Sequence, residues 1–316
     1  MNLLVTGGCG FIGSNFINYY FHKNTSVNII NLDAMYYCAS ESNINPEVQA
    51  SSRYTFIKGN LVSMDLVNYI LSHFKISHII HFAAQSHVQN SFNDSLVYTT
   101  DNIVGTHTLL EACRLYHLVK KIIHVSTDEV YGESTNDDLK HEGSVLIPTN
   151  PYAATKAGAE LIAMSYIKSY KLPIVITRGN NVYGPNQYPE KLIPRFIQQL
   201  NNNEQVTIQG NGSAKRSFLH IDDTCSAFEI ILDRGLIGEI YNIGTSDEYT
   251  VLEVAKLLVL LIKCTESFQS YIRFIEDRPF NDSRYFISNQ KLVELGWEIK
   301  IPFLEGIKKL VNCKWN

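Results

Sequence analysis

The chain has 316 residues, 45% of them hydrophobic, and a formal net charge of −4. That is enough apolar material for a large core, divided over one or two domains. A charge balance this close to neutral lacks the basic field that holds a nucleic-acid backbone or an anionic membrane, so neither is an expected partner.

In chain order, residues 2–6 form a short apolar run that ends at a glycine cluster, and an apolar-periodic stretch follows over 11–20. This spacing predicts a strand, a tight turn and a helix. Strands are expected at 27–32, 54–57, 78–82, 121–126 and 173–177, with helix-length segments between most of them. The alternation predicts an α/β fold, a Rossmann-type doubly wound parallel sheet with helices on both faces. Beyond Thr177 the pattern loosens around Gly184-Pro185, Gly210-Asn211-Gly212 and Arg278-Pro279, which suggests a smaller α/β substrate-binding domain. A strand at 239–243 and a helix at 251–263 indicate that the chain crosses between the two. The expected division is 1–178 with 217–243 for the nucleotide-binding domain, and 179–216 with 244–316 for the smaller one.

The six cysteines, Cys9, Cys38, Cys113, Cys225, Cys264 and Cys313, stand singly, with no CxxC pair. They read as reduced thiols of a cytoplasmic protein. The first residues enter a strand pattern directly, and the apolar run 257–262 is too short to span a bilayer, so neither secretion nor membrane anchoring is expected. His78, His81 and His87 are spread over a strand and the loop after it, with no helical i, i+4 pair and no acidic ligand set. No metal is expected there.

Gly8-Cys9-Gly10-Phe11-Ile12-Gly13 fits G-x-G-x-x-G, and Gly7, Gly10 and Gly13 are also spaced by three. Glycines at such a turn let backbone N–H groups at a helix N-terminus approach a pyrophosphate. Twenty residues after Gly13, Asp33 closes the next expected strand. A carboxylate there accepts hydrogen bonds from an adenosine ribose and repels the extra phosphate of NADP, so NAD is the expected cofactor. Tyr152 and Lys156, in Tyr152-Ala153-Ala154-Thr155-Lys156, share one face of a helix. A cation beside a phenol favours phenolate, which suits Tyr152 to removing a hydroxyl proton as hydride leaves the same carbon.

Ser126-Thr127-Asp128-Glu129-Val130-Tyr131-Gly132 follows the strand expected at 121–126. Here the chain resembles the extended short-chain dehydrogenases/reductases, and more narrowly the NDP-glucose 4,6-dehydratases. The resemblance runs from Asn2 to Trp315 and includes His81-Phe82-Ala83-Ala84-Gln85-Ser86-His87-Val88, Pro189-Glu190-Lys191-Leu192-Ile193-Pro194 and Tyr241-Asn242-Ile243-Gly244. It implies a catalytic set of Thr127, Asp128, Glu129, Tyr152 and Lys156, with Glu129 as base and Asp128 as acid. Oxidation at the sugar C4 acidifies the C5 proton; one group must remove that proton while another protonates the departing C6 hydroxyl. Two adjacent carboxyls raise each other's cost of ionisation, which suits one of them to the acid role.

The resemblance also implies cofactor contacts from Gly7, Gly10, Phe11, Ile12, Gly13, Asp33, Asn60, Leu61, Ala83, Ala84, Tyr152 and Lys156. Substrate contacts are implied for Ser86, Asn181, Lys191, Leu192, Arg216, Asn242 and Arg278; the two arginines are suited to a diphosphate because their planar forks match phosphate oxygens. A homodimer through the helices around 108–116 and 157–166 is implied as well. Two positions depart from the family pattern: Asn60 stands where an aspartate is common, and Gln209 where bacterial dTDP-glucose enzymes often carry an aromatic residue. The stretches 177–187 and 278–286 look closer to the dehydratase part of plant UDP-rhamnose synthases, which makes a nucleotide sugar, UDP-glucose, the expected substrate. The alternatives are dTDP-glucose, a 4-epimerase or decarboxylase of the same fold, and a catalytically idle NAD-binding scaffold.

Overall fold

A computed structural model describes residues 1–135, 138–276 and 282–312. Seven strands form one sheet: β1 (Asn2–Thr6), β2 (Asn28–Asp33), β3 (Tyr54–Lys58), β4 (His78–His81), β5 (Lys121–Thr127), β6 (Ile174–Gly179) and, after three strands outside it, β10 (Ile240–Ile243). Their order is β3-β2-β1-β4-β5-β6-β10, and every pairing is parallel. This is the doubly wound Rossmann order. The chain reverses direction across the sheet between β1 and β4, so the crevice opens at the carboxyl ends of those strands.

The strands are largely apolar because both faces are covered, with Asn31 on β2 and His124 on β5 as buried polar exceptions. Leu3 and Val5 of β1 pack with Phe16, Ile17 and Tyr20 of the helix Phe11–Lys23 and with Phe228 and Ile231 of the helix Ile221–Arg234. Leu4, between them, points to the other face, where Val67 and Ile70, Leu109 and Leu110, and Ala163 and Tyr166 arrive from three further helices. Each such aliphatic side chain contributes roughly 1.5–3 kcal/mol on burial.

The remaining strands are short: β7 (Asn181–Tyr183), β8 (Val206–Gln209), β9 (Lys215–His220), β11 (Glu248–Thr250) and β12 (Ile272–Ile275). They make a three-stranded sheet, β11-β9-β7, and a parallel pair, β12-β8. A third core gathers here from Phe196, Ile197 and Leu200 of the helix Leu192–Asn201, Leu258 of the helix Val251–Lys263, and Phe303 and Ile307 near the C-terminus. Among the described residues, no helix is long and apolar enough to cross a membrane.

One buried ion pair ties the sheet to the long helix Pro151–Tyr170. Arg178 on β6 is 2% exposed and Glu160 is fully buried. The arginine Nε donates to Glu160 at 3.0 Å and its Nη1 to the Tyr131 hydroxyl at 2.7 Å. Removing one member leaves the other charged and uncompensated in a dry interior. Arg178→Met is expected to lower the unfolding free energy in urea by about 3–5 kcal/mol, and a loss below about 1 kcal/mol would show that the pair carries no weight.

Candidate active site

A cavity of about 630 Å³ runs along the carboxyl ends of β1, β2, β4, β5 and β6 and reaches Gln209 on β8 and Arg216 on β9. Its volume lies in the range of ligand-binding clefts.

The glycine turn forms one end. Gly7 has a φ of +71°, and a Cβ there would stand 2.7 Å from the Ala83 backbone, so β1 and β4 can approach this closely only with glycine. A Cβ on Gly13 would lie 2.3 Å from the Gly7 carbonyl oxygen. The helix Phe11–Lys23 starts here with Gly10 as its cap and no side-chain cap hydrogen bond. Its first N–H groups therefore face the cavity as donors for an anion. Asp33, at the end of β2, accepts from the backbone N–H of Cys9 at 2.9 Å and of Met35 at 2.8 Å. Burial pushes its carboxyl up from the usual aspartate value, and these backbone donors pull it partly back.

All twelve residues expected to touch the cofactor line this cavity. Asn60 Oδ1 already accepts from the Val62 N–H at 3.0 Å, and its amide donates to the Tyr36 hydroxyl at 2.9 Å. Ser126 Oγ and Thr177 Oγ1 also line the cavity, buried and without a hydrogen-bond partner among the described residues. A glycine cradle beneath uncapped helix N–H groups, a ribose-height carboxylate and unsatisfied hydroxyls fit a dinucleotide.

In the middle of the cavity, β5 ends in Thr127 and the chain turns at once into a short 3-10 helix, Asp128–Tyr131, capped by the Thr127 hydroxyl, which accepts from the Glu129 N–H at 3.3 Å. Asp128 is 4% exposed. Its Oδ2 accepts from Asn180 Nδ2 at 2.7 Å and its Oδ1 lies 3.1 Å from Thr127 Oγ1. Burial, and then the neighbouring Glu129 charge, push this carboxyl up to about 7. Burial also raises Glu129, while Asn150, whose Nδ2 donates to Glu129 Oε2 at 3.1 Å, and the charges of Arg216 and Lys191 draw it down. The cost of ionising two adjacent carboxyls is therefore present, and both groups stand above their ordinary values.

Tyr152 and Lys156 face this turn from the helix Pro151–Tyr170, which Asn150 caps by accepting from the Ala153 N–H at 2.9 Å. The expectation of a lowered phenol needs correcting. Burial, followed by the Glu129 and Asp128 charges, holds the Tyr152 phenol above its ordinary value, against a hydrogen bond with Thr127 that lowers it. Lys156 Nζ donates to the Val125 carbonyl at 2.6 Å, and burial brings the ammonium down to about 8. Desolvation of the phenol and two nearby carboxyls outweigh the Thr127 hydrogen bond.

At the far end stand Ser86, Asn181, Lys191, Leu192 and Arg216, all lining the cavity together with Gln209. Lys191 Nζ donates to the Ser86 carbonyl at 2.8 Å and also heads the helix Leu192–Asn201, which again has no side-chain cap hydrogen bond. Arg216 Nη2 donates to the Asp282 carbonyl at 2.8 Å, and its guanidinium lies over the Tyr285 ring, 5.0 Å from the centroid. Cations and open helix N–H groups at this end suit a second diphosphate.

Two expected residues lie off the cavity wall. Asp128 sits just behind Thr127 and Asn180, which do line it. Asn242 is fully buried elsewhere, accepting from the Tyr131 hydroxyl at 2.8 Å and donating to the Ser288 carbonyl at 3.0 Å. It braces the turn that carries the carboxyls and is not part of the cavity wall, because both ends of its amide are taken up by Tyr131 and Ser288 in the interior. Arg278 lies outside the described residues. The sequence reading passed over Asn150, Asn180, Asp282 and Tyr285. Asn150 was findable, since asparagine directly before a helix-starting proline is a cap signature; the other three carry no local signal.

His81, beneath the site, bridges Thr6 Oγ1 at 2.7 Å and Thr106 Oγ1 at 2.9 Å, and burial takes its imidazole down to about 3. Among the described residues, no three His, Cys, Asp or Glu side chains group as a metal site.

A Rossmann sheet with a glycine cradle at its switch point and Thr127, Tyr152 and Lys156 gathered along the cavity defines the extended short-chain dehydrogenase/reductase class of fold. The chain belongs to the family described as GDP-mannose 4,6 dehydratase, whose sequence profile it matches over residues 4–310. It is 48% identical over 313 residues to a trifunctional UDP-glucose 4,6-dehydratase/UDP-4-keto-6-deoxy-D-glucose 3,5-epimerase/UDP-4-keto-L-rhamnose-reductase of Arabidopsis thaliana, covering 98% of this chain and 46% of that one. The chain thus spans about half the length of these plant relatives. To a dTDP-D-glucose 4,6-dehydratase of Dictyostelium discoideum it is 44% identical over 348 residues, covering 97% and 80%. Among solved structures, the dTDP-glucose 4,6-dehydratase DesIV of Streptomyces venezuelae, with NAD and TYD bound, superposes with a TM-score of 0.93 at 37% identity, covering 98% and 96%.

Proposed function

We propose that this protein is an NAD-dependent NDP-glucose 4,6-dehydratase with UDP-glucose as its preferred substrate. The observation that carries the reading is the pair Asp128 and Glu129, placed directly after Thr127 and facing Tyr152 between a dinucleotide cradle and a cationic far end. An epimerase needs only the Thr-Tyr-Lys set; the two carboxyls serve loss of water.

NAD held along the glycine turn would supply the hydride acceptor for the sugar C4 and the hydride donor for C6. Tyr152, aided by Thr127 and by the Lys156 charge, takes the C4 hydroxyl proton. Glu129 takes the C5 proton, for which a raised pKa makes it a stronger base, and gives it back to C5 when hydride reaches C6. Asp128, near half-protonated at neutral pH, gives its proton to the C6 oxygen, which departs as water. Ser86, Asn181, Lys191, Leu192 and Arg216 hold the nucleotide sugar, with the sugar-nucleotide domain formed by 179–216 and 244–316. Arg278 belongs to the same proposal on sequence grounds alone.

The preference for uridine rests on the plant relatives and on Gln209, a polar residue at the cavity wall where dTDP-glucose enzymes often stack an aromatic ring. The second reading, dTDP-glucose, is favoured by the Dictyostelium and Streptomyces relatives. One methyl separates the bases and is worth only about 1–3 kcal/mol in a pocket, so both nucleotides are expected to turn over. Mass spectrometry of products from a panel of NDP-hexoses, with NAD or NADP as sole cofactor, and kcat/KM for UDP- and dTDP-glucose test the reading. Loss of one water from an NDP-glucose is expected. An epimer of unchanged mass, or no product from any hexose, would overturn it, and higher kcat/KM with dTDP-glucose would reverse the nucleotide.

A homodimer is part of the proposal, supported by Leu115 and Leu161, which are half or more exposed on the helices Gly105–Tyr116 and Pro151–Tyr170; a single-chain mass in sedimentation would remove it. A cytoplasmic setting accords with five free cysteines among the described residues, and a disulfide-linked native protein would contradict it.

A further inference from the structure

We propose that Asn180 is a positioning residue for the acid step, fixing Asp128 so that Oδ1, and not Oδ2, carries the proton that leaves for the sugar. The proposal rests on the dehydratase reading above and deepens it.

The orientation of the Asn180 amide follows from donors and acceptors alone. The Thr245 backbone N–H points at it from 3.0 Å and can only donate, so the atom it meets is Oδ1. Nδ2 must then face Asp128 Oδ2, at 2.7 Å. The side chain cannot flip without setting N–H against N–H and oxygen against oxygen, both in the interior: Asn180 is 6% and Thr245 5% exposed. The seat is also shaped for it, since a Cβ on Gly244 would come within 2.2 Å of Asn180 Oδ1.

An Oδ2 that accepts from an amide at this distance has its inward lone pair occupied. Oδ1 instead meets the Thr127 hydroxyl, which donates to it at 3.1 Å when the carboxyl is ionised and, unlike an amide N–H, can turn to accept; the transferable proton is therefore tolerated on Oδ1 alone, and Thr127 lines the cavity. Asn180 thereby does two things. It aims the acid oxygen, and by stabilising the carboxylate it keeps the acid strong enough to release its proton. The other groups that bear on Asp128 are Thr127, whose hydroxyl donates to Oδ1 and also lowers the carboxyl, Glu129 on the same turn, Arg216 on β9, and Tyr152 on the helix Pro151–Tyr170. None of these touches Oδ2 through a hydrogen bond; Asn180 does.

The test uses full-length enzyme with NAD and the better of UDP- or dTDP-glucose. Oxidation is read as absorbance of reduced cofactor and elimination as 4-keto-6-deoxy product. In Asn180→Ala, product formation is expected to fall about tenfold to a hundredfold while sugar oxidation continues, so reduced cofactor accumulates. The limb on which kcat/KM declines with rising pH belongs to the acid. Losing a hydrogen bond to the charged carboxylate raises the acid's pKa, so this limb moves up by about one pH unit or more. Asn180→Asp, which keeps shape and the Thr245 contact but turns the donor into an acceptor, is expected to show the same split and the same direction. Gly244→Ala, which displaces the amide without removing it, should follow them.

Unshifted pH limbs with oxidation and elimination reduced together would overturn the inference, since a purely structural role loses both steps alike. Should Asn180→Ala fail to fold, the Asp variant decides by the same criteria. A wild-type enzyme that forms no dehydrated product would sink the dehydratase reading instead, and the two failures are thereby distinguishable.

Discussion

Glu129→Gln is expected to reduce its bound cofactor on addition of substrate and then stop. The amide keeps the shape of the side chain and the Asn150 contact, yet it cannot take the C5 proton. Loss of a positioned base lowers the rate by about 10²–10⁴-fold, which would leave reduced cofactor as the accumulating species and almost no 4-keto-6-deoxy sugar. Rapid-scanning absorbance with product analysis on one sample separates the two steps, and wild-type product formation by this variant would remove Glu129 from the mechanism. The wild-type pH profile adds a signed check. Glu129 must be ionised, so kcat/KM rises with pH through its raised pKa; Asp128 must be protonated, so kcat/KM falls as pH climbs through about 7. A narrow optimum on the acid side of neutrality is expected, and a flat profile between pH 6 and 8, roughly a unit either side of that value, would contradict the assignment.

Tyr152→Phe is expected to fail one step earlier. Without the hydroxyl there is no acceptor for the C4 proton, so neither reduced cofactor nor product should form above about 10⁻²–10⁻⁴ of the wild-type rate. The phenyl ring still fits the same space, since Tyr152 is 8% exposed and stands edge-on to Tyr98 at 6.5 Å, and NAD binding by calorimetry should be close to wild type. Full cofactor reduction by the variant would refute the tyrosine's role. Burial brings the Lys156 ammonium down to about 8, so the positive charge that would favour phenolate is lost as pH rises through that value.

The sequence by itself determined the Rossmann sheet and the cavity's two landmarks. Strands buried on both faces are mostly apolar, so β1, β2, β4, β5 and β6 stand out as short apolar runs, with Asn31 and His124 as buried exceptions, and the observed limits differ from the expected ones by at most two residues. The glycine turn is legible because its geometry admits no Cβ at Gly7, and Asp33 because a parallel strand must end where it stands. The Tyr152–Lys156 spacing is helical, and Asp128 and Glu129 lie next to one another in the chain. What only the tertiary structure decided arises between segments far apart in sequence. The strands β7, β8, β9, β11 and β12 span three to six residues each and are held by their partners and by the third core, so no local period marks them. Burial, which no motif encodes, reversed the expected direction for the Tyr152 phenol. Asn242 matched a substrate-contact position but is fully enclosed beneath the Tyr131 turn. Asn180, 52 residues from Asp128, meets it because β5 and β6 are neighbours in the sheet, and its amide is aimed by Thr245, 65 residues further along. Proton placement at this site depends on desolvation and on hydrogen bonds across adjacent strands, and both exist only once the chain has folded.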